Sequence, residues 1–430
     1  MKRLSIRLLL LAAAMLIATT AFATAPVEET GGSDEVSFSW WALSGGGGSP
    51  NPRETMRQAI IADFEADNPG VTVELQMWEN EAFKQKVQID VQAGNPPDLF
   101  HSWGGGVMVE YAQAGGLRDI TDTVENVLSQ TIGMGPLGVY GNAGHYYGAP
   151  YDMGAVGMWY NKDIFDEVGV SVPQTWPQLL DVVEQIGNAG YVPIALGGGD
   201  RWPAHFWWTY LATRIGGQPA FNAAYSGAGS FADQPFVEAG EALLDLLALN
   251  PFQEGYLGAT YDDEAALVGD GVAAMELMGQ WAPAVQQADS ASGNGIGDSL
   301  GWFAFPSVPG GAGSRGDVMG GGNGYVVGAN APDAAVDFLV YFLQPKYAPA
   351  IIEAEGIVPV VSNVDWDFDA NALAIMDAVA NADYYQLYYD QFLPPAVGEA
   401  VKDAVVALLA GQATPEECAQ MLQDAWEMEQ

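Results

Sequence analysis

Strand-like and helix-like segments alternate regularly between residues 36 and 100. The helix-like segments carry apolar residues on one face, as at Met56, Ile60 and Phe64. The alternation predicts strands at 36–41, 71–75 and 98–100, with helices at 54–65 and 82–91 between them. This order is typical of a sheet with parallel strands that is covered by helices, so we expect an α/β fold.

A second alternation of strands and helices begins near residue 147. Its patterns predict strands at 147–150, 156–160, 192–196, 273–278, 300–305 and 325–327, and helices at 162–168, 175–188, 205–215, 234–249, 262–269, 333–343 and 416–426. A chain of 430 residues also exceeds what one hydrophobic core usually serves. The sequence therefore predicts two α/β lobes.

Tryptophans stand at the ends of predicted strands in both alternations. Trp41 ends the first strand, Trp78 and Trp103 follow the next two, and Trp202 and Trp281 follow two strands of the second set. Ligands of such sheets bind at the carboxyl ends of the strands. An indole offers a broad apolar face to a ligand, so these residues are candidate ligand contacts. Packing in the core remains the alternative for each of them.

Polar candidates accompany these tryptophans. Glu81 follows Trp78 and is a candidate acceptor for ligand hydroxyls, with a solvated helix face as the alternative. Asp200 and Arg201 precede Trp202 after three glycines at a strand end, so their side chains can project into a cleft. A surface ion pair is the alternative for Asp200 and Arg201.

The first 23 residues have the order of a secretory signal peptide. Three cations precede an apolar run at 8–18, and a small-residue cleavage site ends at Ala23. The run is shorter than the roughly 20 residues of a membrane span, although a retained anchor or cleavage near residue 25 are alternatives. The single cysteine, Cys418, cannot serve as a lipid-anchor cysteine after the signal. We expect a periplasmic protein.

The charge and the histidines exclude several classes of partner. With 54 acidic residues against 14 Lys and Arg, the formal net charge is −40, which repels nucleic acid and anionic membranes. High solubility is the simplest reading of this charge. The three histidines show no metal-ligand spacing, and no nucleotide-binding motif stands in a strand–helix context. We expect no cofactor, no metal, no nucleic acid partner and a monomeric state.

Six local signatures appear along the chain in a recognisable order. They are residues 64–73 (FEADNPGVTV), 97–100 (PDLF), 159–165 (WYNKDIF), 173–176 (PQTW), 271–275 with 279–281 (GVAAM, GQW) and 355–359 (EGIVP). In this order they resemble family 1 extracellular solute-binding proteins, the sugar-binding subunits of ABC importers, a group that includes maltose-binding protein. The resemblance covers nearly all of the chain after the signal.

The resemblance implies a two-lobe periplasmic-binding-protein fold of type II. Each lobe would be a mixed sheet flanked by helices, and hinge strands would join them. It implies crossings between the lobes near residues 153, 300 and 330. The N-terminal lobe would then hold residues 24–153 and 301–329, and the C-terminal lobe residues 154–300 and 330–430. A permease of an ABC transporter would be the partner.

The resemblance also adds site residues and a role. Trp281 resembles the stacking tryptophan of the family, and Tyr151 and Asp152 stand where the chain first crosses between the lobes. Asn323 follows three glycines at the last crossing. The implied function is capture of a sugar or oligosaccharide by closure of the hinge, without catalysis. A secreted glycoside hydrolase and a binding protein for a compatible solute or peptide remain alternatives.

Overall fold

A computed structural model describes residues 35–45 and 51–430 of the chain. The predicted signal peptide at 1–23 lies outside these residues. The described strands are β1 Val36–Leu43, β2 Val71–Trp78, β3 Leu99–Ser102, β4 Gly141–Asn142, β5 His145–Tyr146, β6 Gly148–Pro150, β7 Gly154–Ala155, β8 Gly157–Asn161, β9 Val192–Ile194, β10 Ala273–Met278, β11 Leu300–Phe303, β12 Val318–Gly321, β13 Gly324–Val327 and β14 Tyr385–Leu387.

Helices connect most of these strands. They are α1 Pro52–Asp67, α2 Asn80–Gln92, α3 Gly105–Gln113, α4 Thr121–Asn126, α5 Met134–Gly138, α6 Lys162–Val168, α7 Trp176–Asn188, α8 Trp202–Tyr225, α9 Gln234–Leu247, α10 Tyr261–Gly269, α11 Ala282–Asp289, α12 Asp333–Phe342, α13 Ala348–Glu355, α14 Ala370–Ala380, α15 Tyr389–Phe392, α16 Pro395–Leu409 and α17 Pro415–Met428. Local capping explains several starts. Asn51, for example, accepts hydrogen bonds from the first amides of α1.

The first sheet has five strands in the order β2-β1-β3-β13-β6. β1 pairs in parallel with β2 and β3, as the strand–helix alternation predicts. β13 comes from much later in the chain and pairs antiparallel with β3 and β6. The carboxyl ends of β1, β2 and β3 therefore meet at one edge of this mixed sheet.

The second sheet has four strands in the order β11-β8-β10-β9, and a third sheet has the order β14-β12-β7. β9 runs parallel to β10, whereas β8 is antiparallel to both β10 and β11. In the third sheet β12 pairs in parallel with β14 and antiparallel with β7. These short strands hold together segments that are far apart in the sequence.

Two groups of buried apolar residues define two lobes. Around the first sheet, helices α1 and α12 cover one face, where Phe338 packs against Trp40 with ring centroids 5.0 Å apart. A smaller cluster containing Phe83 and Met108 covers the other face. The largest cluster surrounds the second sheet and includes residues of α7, α8, α9 and α16. We call these parts the first lobe and the second lobe.

The chain passes between the two cores three times. The first lies between Tyr151 and Ala155, near the expected residue 153. Residues 300–319 stay with the second core because β11 pairs with β8, so the second crossing follows Met319. Residues 331–361, apart from Val358, stay with the first core because α12 and α13 pack on the first sheet, so the third crossing lies between Val361 and Ile375.

No helix among the described residues is both long and apolar enough to cross a membrane. The longest, α8, is broken at Gly217, where the backbone has φ 62°, and it contains Pro219. The left-handed conformation at Gly217 is one that glycine adopts without steric cost. The sequence pattern predicts only the helical part of α8 before this break.

Candidate functional site

A cavity of about 340 Å³ lies between the two lobes. This volume falls in the lower part of the range found for small-molecule sites, about 300–1,000 Å³. The lining residues are Leu43, Ser44, Gly45, Arg53, Glu79, Asn80, Lys84, His101 and Trp103 from the first lobe, Asp200, Trp202, Phe206, Tyr261, Asp262, Trp281, Val285, Tyr388, Asp390 and Gln391 from the second lobe, and Tyr151, Asn323, Glu355 and Ile357 from segments near the crossings.

The first-lobe wall is built at the carboxyl ends of β1, β2 and β3. Ser44, Glu79 and Trp103 each follow one of these strands directly. The wall therefore occupies the edge where ligands bind in open α/β sheets. Lys84, on the first turns of α2, lies with its Nζ 5.3 Å from the centre of the Trp103 ring. The same ammonium lies 5.9 Å from the Trp202 ring of the opposite lobe, so it contacts both walls.

The second-lobe wall consists mainly of aromatic rings. Trp202 begins α8 and packs at 4.9 Å from Tyr261 and at 6.3 Å from Trp281. The Trp281 ring packs against Gly279, where a Cβ would lie 2.1 Å from an indole carbon. Tyr388, just after β14, approaches Trp281 at 6.3 Å. These rings give the wall broad apolar faces of the kind that cover C–H surfaces.

The base of the cavity is formed near the crossings by a buried ion pair. Glu355 accepts hydrogen bonds from Arg57 Nη2 at 2.6 Å and from the Tyr151 hydroxyl at 2.9 Å. The Arg57 and Glu355 side chains are 0% and 2% exposed. A buried pair of this kind fixes the positions of the groups around it, because separating the charges is costly. Tyr151 is therefore held against the first lobe.

Six of the sequence-predicted site residues line the cavity. They are Trp103, Tyr151, Asp200, Trp202, Trp281 and Asn323. They come from both lobes and from the crossings, so the structure brings together residues that the sequence spaces over more than half of the chain. Lining the cavity makes them candidates for ligand contact, and their binding role stays a prediction.

Three first-lobe candidates lie outside the cavity. Trp41 is 7% exposed and packs against Trp78 at 4.9 Å, beneath Lys86. Both faces of the first sheet are covered, so these two indoles belong to the packing of α2 on the sheet. Glu81 forms an ion pair with Lys84 at 2.7 Å and thereby positions a lining residue without lining the cavity itself.

Asp152 and Arg201 also lie outside the cavity, in structural positions. Asp152 is fully buried and accepts hydrogen bonds from both the backbone and the side-chain nitrogen of Asn323 and from Gln280 Nε2. Asp152, in the first crossing, therefore connects Asn323, in the second crossing, with Gln280, the residue before Trp281. Arg201 turns away to form ion pairs with Glu399 at 3.0 Å and Asp403 at 2.6 Å.

Several lining residues were not predicted. Arg53 and His101 each had a signal, because Arg53 directly precedes the predicted helix at 54–65 and His101 directly follows the predicted strand at 98–100. Tyr388 and Asp390 had none, because no element was predicted between residues 343 and 416. Glu355 stands in a segment that carried the resemblance, but nothing in its spacing indicated a buried ion pair.

Acidic groups of the two lobes approach one another across the cavity. Burial, together with Asp289 and Glu79, raises the pKa of Asp262 to about 6. Burial also raises the pKa of Asp200, and Glu81 and Glu79 add to this effect. The acids that raise these values include residues of the first lobe. The second-lobe wall therefore offers carboxylate acceptors at an energetic cost that hydroxyl donors can offset.

Polar atoms of four buried side chains in the cavity form no hydrogen bond with any part of the chain that the structure describes. They are both ring nitrogens of His101, Nε1 of Trp202 and the hydroxyls of Tyr261 and Tyr388. Buried polar groups are nearly always hydrogen-bonded in folded proteins. Their position beside indole faces matches a ligand that presents hydroxyls around an apolar ring.

Two further carboxyls, Glu264 and Glu276, are buried next to the second-lobe wall. Glu264 accepts a hydrogen bond from the Gly197 amide at 2.6 Å, and Glu276 accepts one from Gln286 at 2.7 Å. Burial raises the pKa of Glu276 to about 7, and burial with the charge of Glu276 raises the pKa of Glu264 well above its ordinary value. The folded protein therefore retains protons that the unfolded chain releases near pH 4.5.

This difference predicts that acidification stabilises the fold. Because the folded state binds more protons, the free energy of unfolding should fall as the pH rises from 5 to 7, by up to about 1.4 kcal/mol per pH unit for each such group. The variant Glu276→Gln should flatten the slope in urea unfolding at pH 5, 6 and 7. The exposed control Glu74→Gln should keep the wild-type slope. Equal slopes for both variants would contradict the prediction.

The fold and the cavity together define a class of protein. Two lobes on mixed sheets, three crossings and a ligand-sized cavity at the carboxyl ends of strands are the features of a type II solute-binding protein. The sequence profile described as "Bacterial extracellular solute-binding protein" matches residues 48–349. The chain belongs to this family.

Individual relatives agree with the family. An uncharacterized ABC transporter extracellular-binding protein of Pyrococcus horikoshii is 27% identical over 260 residues, which are 57% of this chain and 55% of that protein. The match thus spans about half of this relative's length. Two solved structures cover the fold more fully. One comes from work on xylan utilization by Caldanaerobius polysaccharolyticus, with 28% identity, a TM-score of 0.84, and 90% of this chain and 99% of that chain covered. The other is a chitin oligosaccharide binding protein, with 25% identity, a TM-score of 0.83, and 92% and 99% covered.

Proposed function

We propose that the protein is a periplasmic receptor that captures a sugar or oligosaccharide between its two lobes and delivers it to the permease of an ABC transporter. The observation that carries the proposal is the cavity in which indoles of both lobes stand beside buried polar atoms that form no bond within the described chain. The chitin oligosaccharide binding protein and the xylan-related structure support a saccharide as the ligand. The predicted signal peptide supports the location, and we expect a monomer.

Packing supports a division of the chain that differs from the expected one in two boundaries. We assign residues 36–151 and 324–361 to the first lobe, although Val358 packs in the second core, and residues 155–319 and 375–430 to the second lobe. The crossings are linked to one another, since Met153 donates its amide to the Val358 carbonyl at 3.0 Å. Such linked crossing segments suit a hinge, because a few residues there can absorb the rotation of one lobe against the other.

Closure would place one saccharide in contact with both walls. A ligand shifts the balance toward the closed form only if it binds that form better than the open one. Lining residues from both lobes provide this difference in affinity between the closed and the open form. Trp103 belongs to one wall, and Trp202 and Trp281 belong to the other. The binding energy of the saccharide would then drive closure.

A contact between the lobes outside the cavity allows closure to be tested separately from binding contacts. Gly106, in the first turn of α3, lies so close to α15 that a Cβ would come 2.5 Å from the Phe392 carbonyl oxygen. We expect Gly106→Ala to hold the lobes apart and to weaken saccharide binding by about tenfold, roughly 1.4 kcal/mol. The variant should also show a larger radius of gyration in small-angle X-ray scattering with saccharide present.

The matched control is Gly135→Ala, because a Cβ at Gly135 meets no atom within 4 Å. It should leave both affinity and radius unchanged. If Gly106→Ala binds the saccharide with full affinity and keeps the wild-type radius of gyration, closure does not bring α3 and α15 together.

Catalysis is the first alternative. A glycoside hydrolase would need two carboxylates about 5–10 Å apart, one of them with a raised pKa. Asp200 and Asp262 have raised pKa values and line the same cavity. Family membership favours capture over hydrolysis. Incubation with xylo-, cello- and malto-oligosaccharides followed by chromatography tests this: we expect unchanged oligosaccharides, and turnover of any of them would overturn the proposal.

A compatible solute is the second alternative, because aromatic cages bind quaternary ammonium groups. The position of Lys84 disfavours it. The ammonium already lies over the Trp103 and Trp202 rings, so a cationic ligand would meet a like charge there. A thermal-shift screen of neutral oligosaccharides against betaines separates the two readings. We expect an increase in Tm only with a saccharide, and an increase with a betaine alone would exclude our proposal.

A further inference from the structure

Two buried side chains of the first-lobe wall, Arg53 and His101, form no side-chain hydrogen bond within the described residues. Arg53 is 9% exposed, and its guanidinium makes no hydrogen bond or ion pair with residues 35–45 or 51–430. His101 is 2% exposed, and neither ring nitrogen has a partner in that same part of the chain. Both line the cavity.

The placement of Arg53 is costly for the protein itself. Arg53 is the second residue of α1, and a cation near a helix N-terminus is unfavourable because the helix dipole is positive there. The guanidinium lies against the Gly45 backbone, where a Cβ would come within 1.9 Å of Nη1. Most of the Arg53 side chain is buried, and its N–H groups find no acceptor in the described chain. A ligand in the cavity would supply them.

His101 is oriented by its neighbours and is neutral. Its ring lies edge-to-face against Trp103 at 4.6 Å and Phe83 at 5.8 Å, which fixes the plane of the imidazole. Burial, with the charges of Arg57, Arg53 and Lys84, lowers the pKa of His101 well below its ordinary value. A neutral imidazole offers one N–H donor and one acceptor nitrogen.

The opposite wall is acidic, and Glu79 adds one carboxylate on the first-lobe side. Asp200, Asp262 and Asp390 line the second-lobe side, and their carboxylates only accept hydrogen bonds. A ligand between the walls must therefore present acceptor oxygens to Arg53 and hydroxyl protons to the acids. An anion would face Glu79 as well as these three acids, and a cation would face Arg53 and Lys84, so a neutral ligand with both donor and acceptor groups suits the lining best.

We propose that Arg53 and His101 are specificity-determining residues that bind the oxygens of one ring of an uncharged saccharide, while the carboxylates of the second lobe accept protons from its hydroxyls. This inference rests on the proposed function, since it names the class of saccharide and the residues that select it. Arg53 acts as a planar donor to hydroxyl oxygens on neighbouring carbons of that ring. Lysine cannot reproduce this role. His101 recognises a single hydroxyl through one of its ring nitrogens.

The test compares variants with analogues of one saccharide by isothermal titration calorimetry. The probe is xylotriose, or triacetylchitotriose if xylotriose does not bind the wild type, together with its monodeoxy analogues. The variants are Arg53→Lys, Arg53→Met and His101→Phe, and the last keeps an aromatic ring in the buried position. Each variant is first checked for a wild-type circular dichroism spectrum and cooperative thermal unfolding.

We expect every variant to bind the parent saccharide about 10- to 100-fold more weakly than the wild type does. At least one monodeoxy analogue lacks the hydroxyl that His101 recognises. We expect the wild type and His101→Phe to bind this analogue with equal affinity. Equal affinity of folded variants and wild type for the parent would overturn the inference. A uniform loss across all analogues would also overturn it, because a structural role would act without regard to any one hydroxyl.

Charge is tested on the wild type alone. Triacetylchitotriose is neutral, whereas its deacetylated form carries amines, and xylotriose can be compared with the same oligosaccharide bearing a uronic acid. In whichever pair binds to the wild type, we expect the neutral oligosaccharide to bind at least about tenfold more tightly than its charged counterpart. Tighter binding of either charged form would overturn the assignment of an uncharged ligand. Failure of the wild type to bind any saccharide would instead refute the proposed function.

Discussion

Replacing Trp281 with alanine is expected to weaken saccharide binding about 30- to 150-fold, without unfolding the protein. The indole lies at the centre of the second-lobe wall, between Trp202 and Tyr388, and rests on Gly279. Tryptophans at the centre of an interface commonly contribute about 2–3 kcal/mol to binding, because they bury a large apolar face. Calorimetry with a bound oligosaccharide measures the loss.

Stability should change little in this variant. Trp281 is only partly buried and precedes α11 with helical backbone angles, which alanine adopts readily. Trp366→Ala is the matched control, since Trp366 is 36% exposed and lies outside the cavity. It should bind like the wild type. If Trp281→Ala stays folded and keeps full affinity, Trp281 does not contact the saccharide.

The second large effect concerns stability. Glu355→Ala should lower the free energy of unfolding by about 3–5 kcal/mol, because it leaves the Arg57 guanidinium buried without its carboxylate. Arg57 keeps only weaker partners, such as the Leu43 carbonyl at 3.0 Å. The Tyr151 hydroxyl loses its acceptor at the same time. Urea unfolding of the full chain, read by tryptophan fluorescence and circular dichroism together, measures the change.

A double variant distinguishes the charge from the packing. Arg57→Met with Glu355→Leu removes both charges and retains much of the volume, so it should be clearly more stable than Glu355→Ala. If the double variant is as unstable as the single one, the loss comes from packing around α13 and not from an unpaired charge. Glu355→Gln retains an acceptor for Tyr151 and should give an intermediate loss.

The first lobe was largely predictable because its early elements have strong local patterns. β1 and β2 begin at Val36 and Val71, where the alternation predicts strands, and their parallel pairing follows from the helices between them. β10 has the predicted bounds, Ala273–Met278. In each case the local pattern and the tertiary position agree.

The last third of the chain was not predictable in the same way. β14 has only three residues, and it forms because β12 offers a partner edge, which no local pattern reveals. The crossings after Met319 and Val361 depend on pairings between segments far apart in the sequence. The site residues in this region, Tyr388 and Asp390, were missed for the same reason.

The tryptophans show the limit of inference from strand ends. Trp41 and Trp103 both stand near the carboxyl ends of first-lobe strands, but only Trp103 lines the cavity. Successive strand residues point to opposite faces, and both faces of this sheet are covered. Whether an indole at the edge turns toward the cleft or beneath α2 is decided by how the helix packs, so the sequence pattern alone does not separate these two residues.

The central claim is that one saccharide binds between the two lobes and contacts both. The most direct measurement is a crystal structure of the protein with the oligosaccharide that gives the largest increase in Tm. Our account predicts the saccharide in the cavity, with a ring on Trp281 and hydrogen bonds to residues of both lobes. A saccharide bound elsewhere on the surface, or held by one lobe alone, would contradict it.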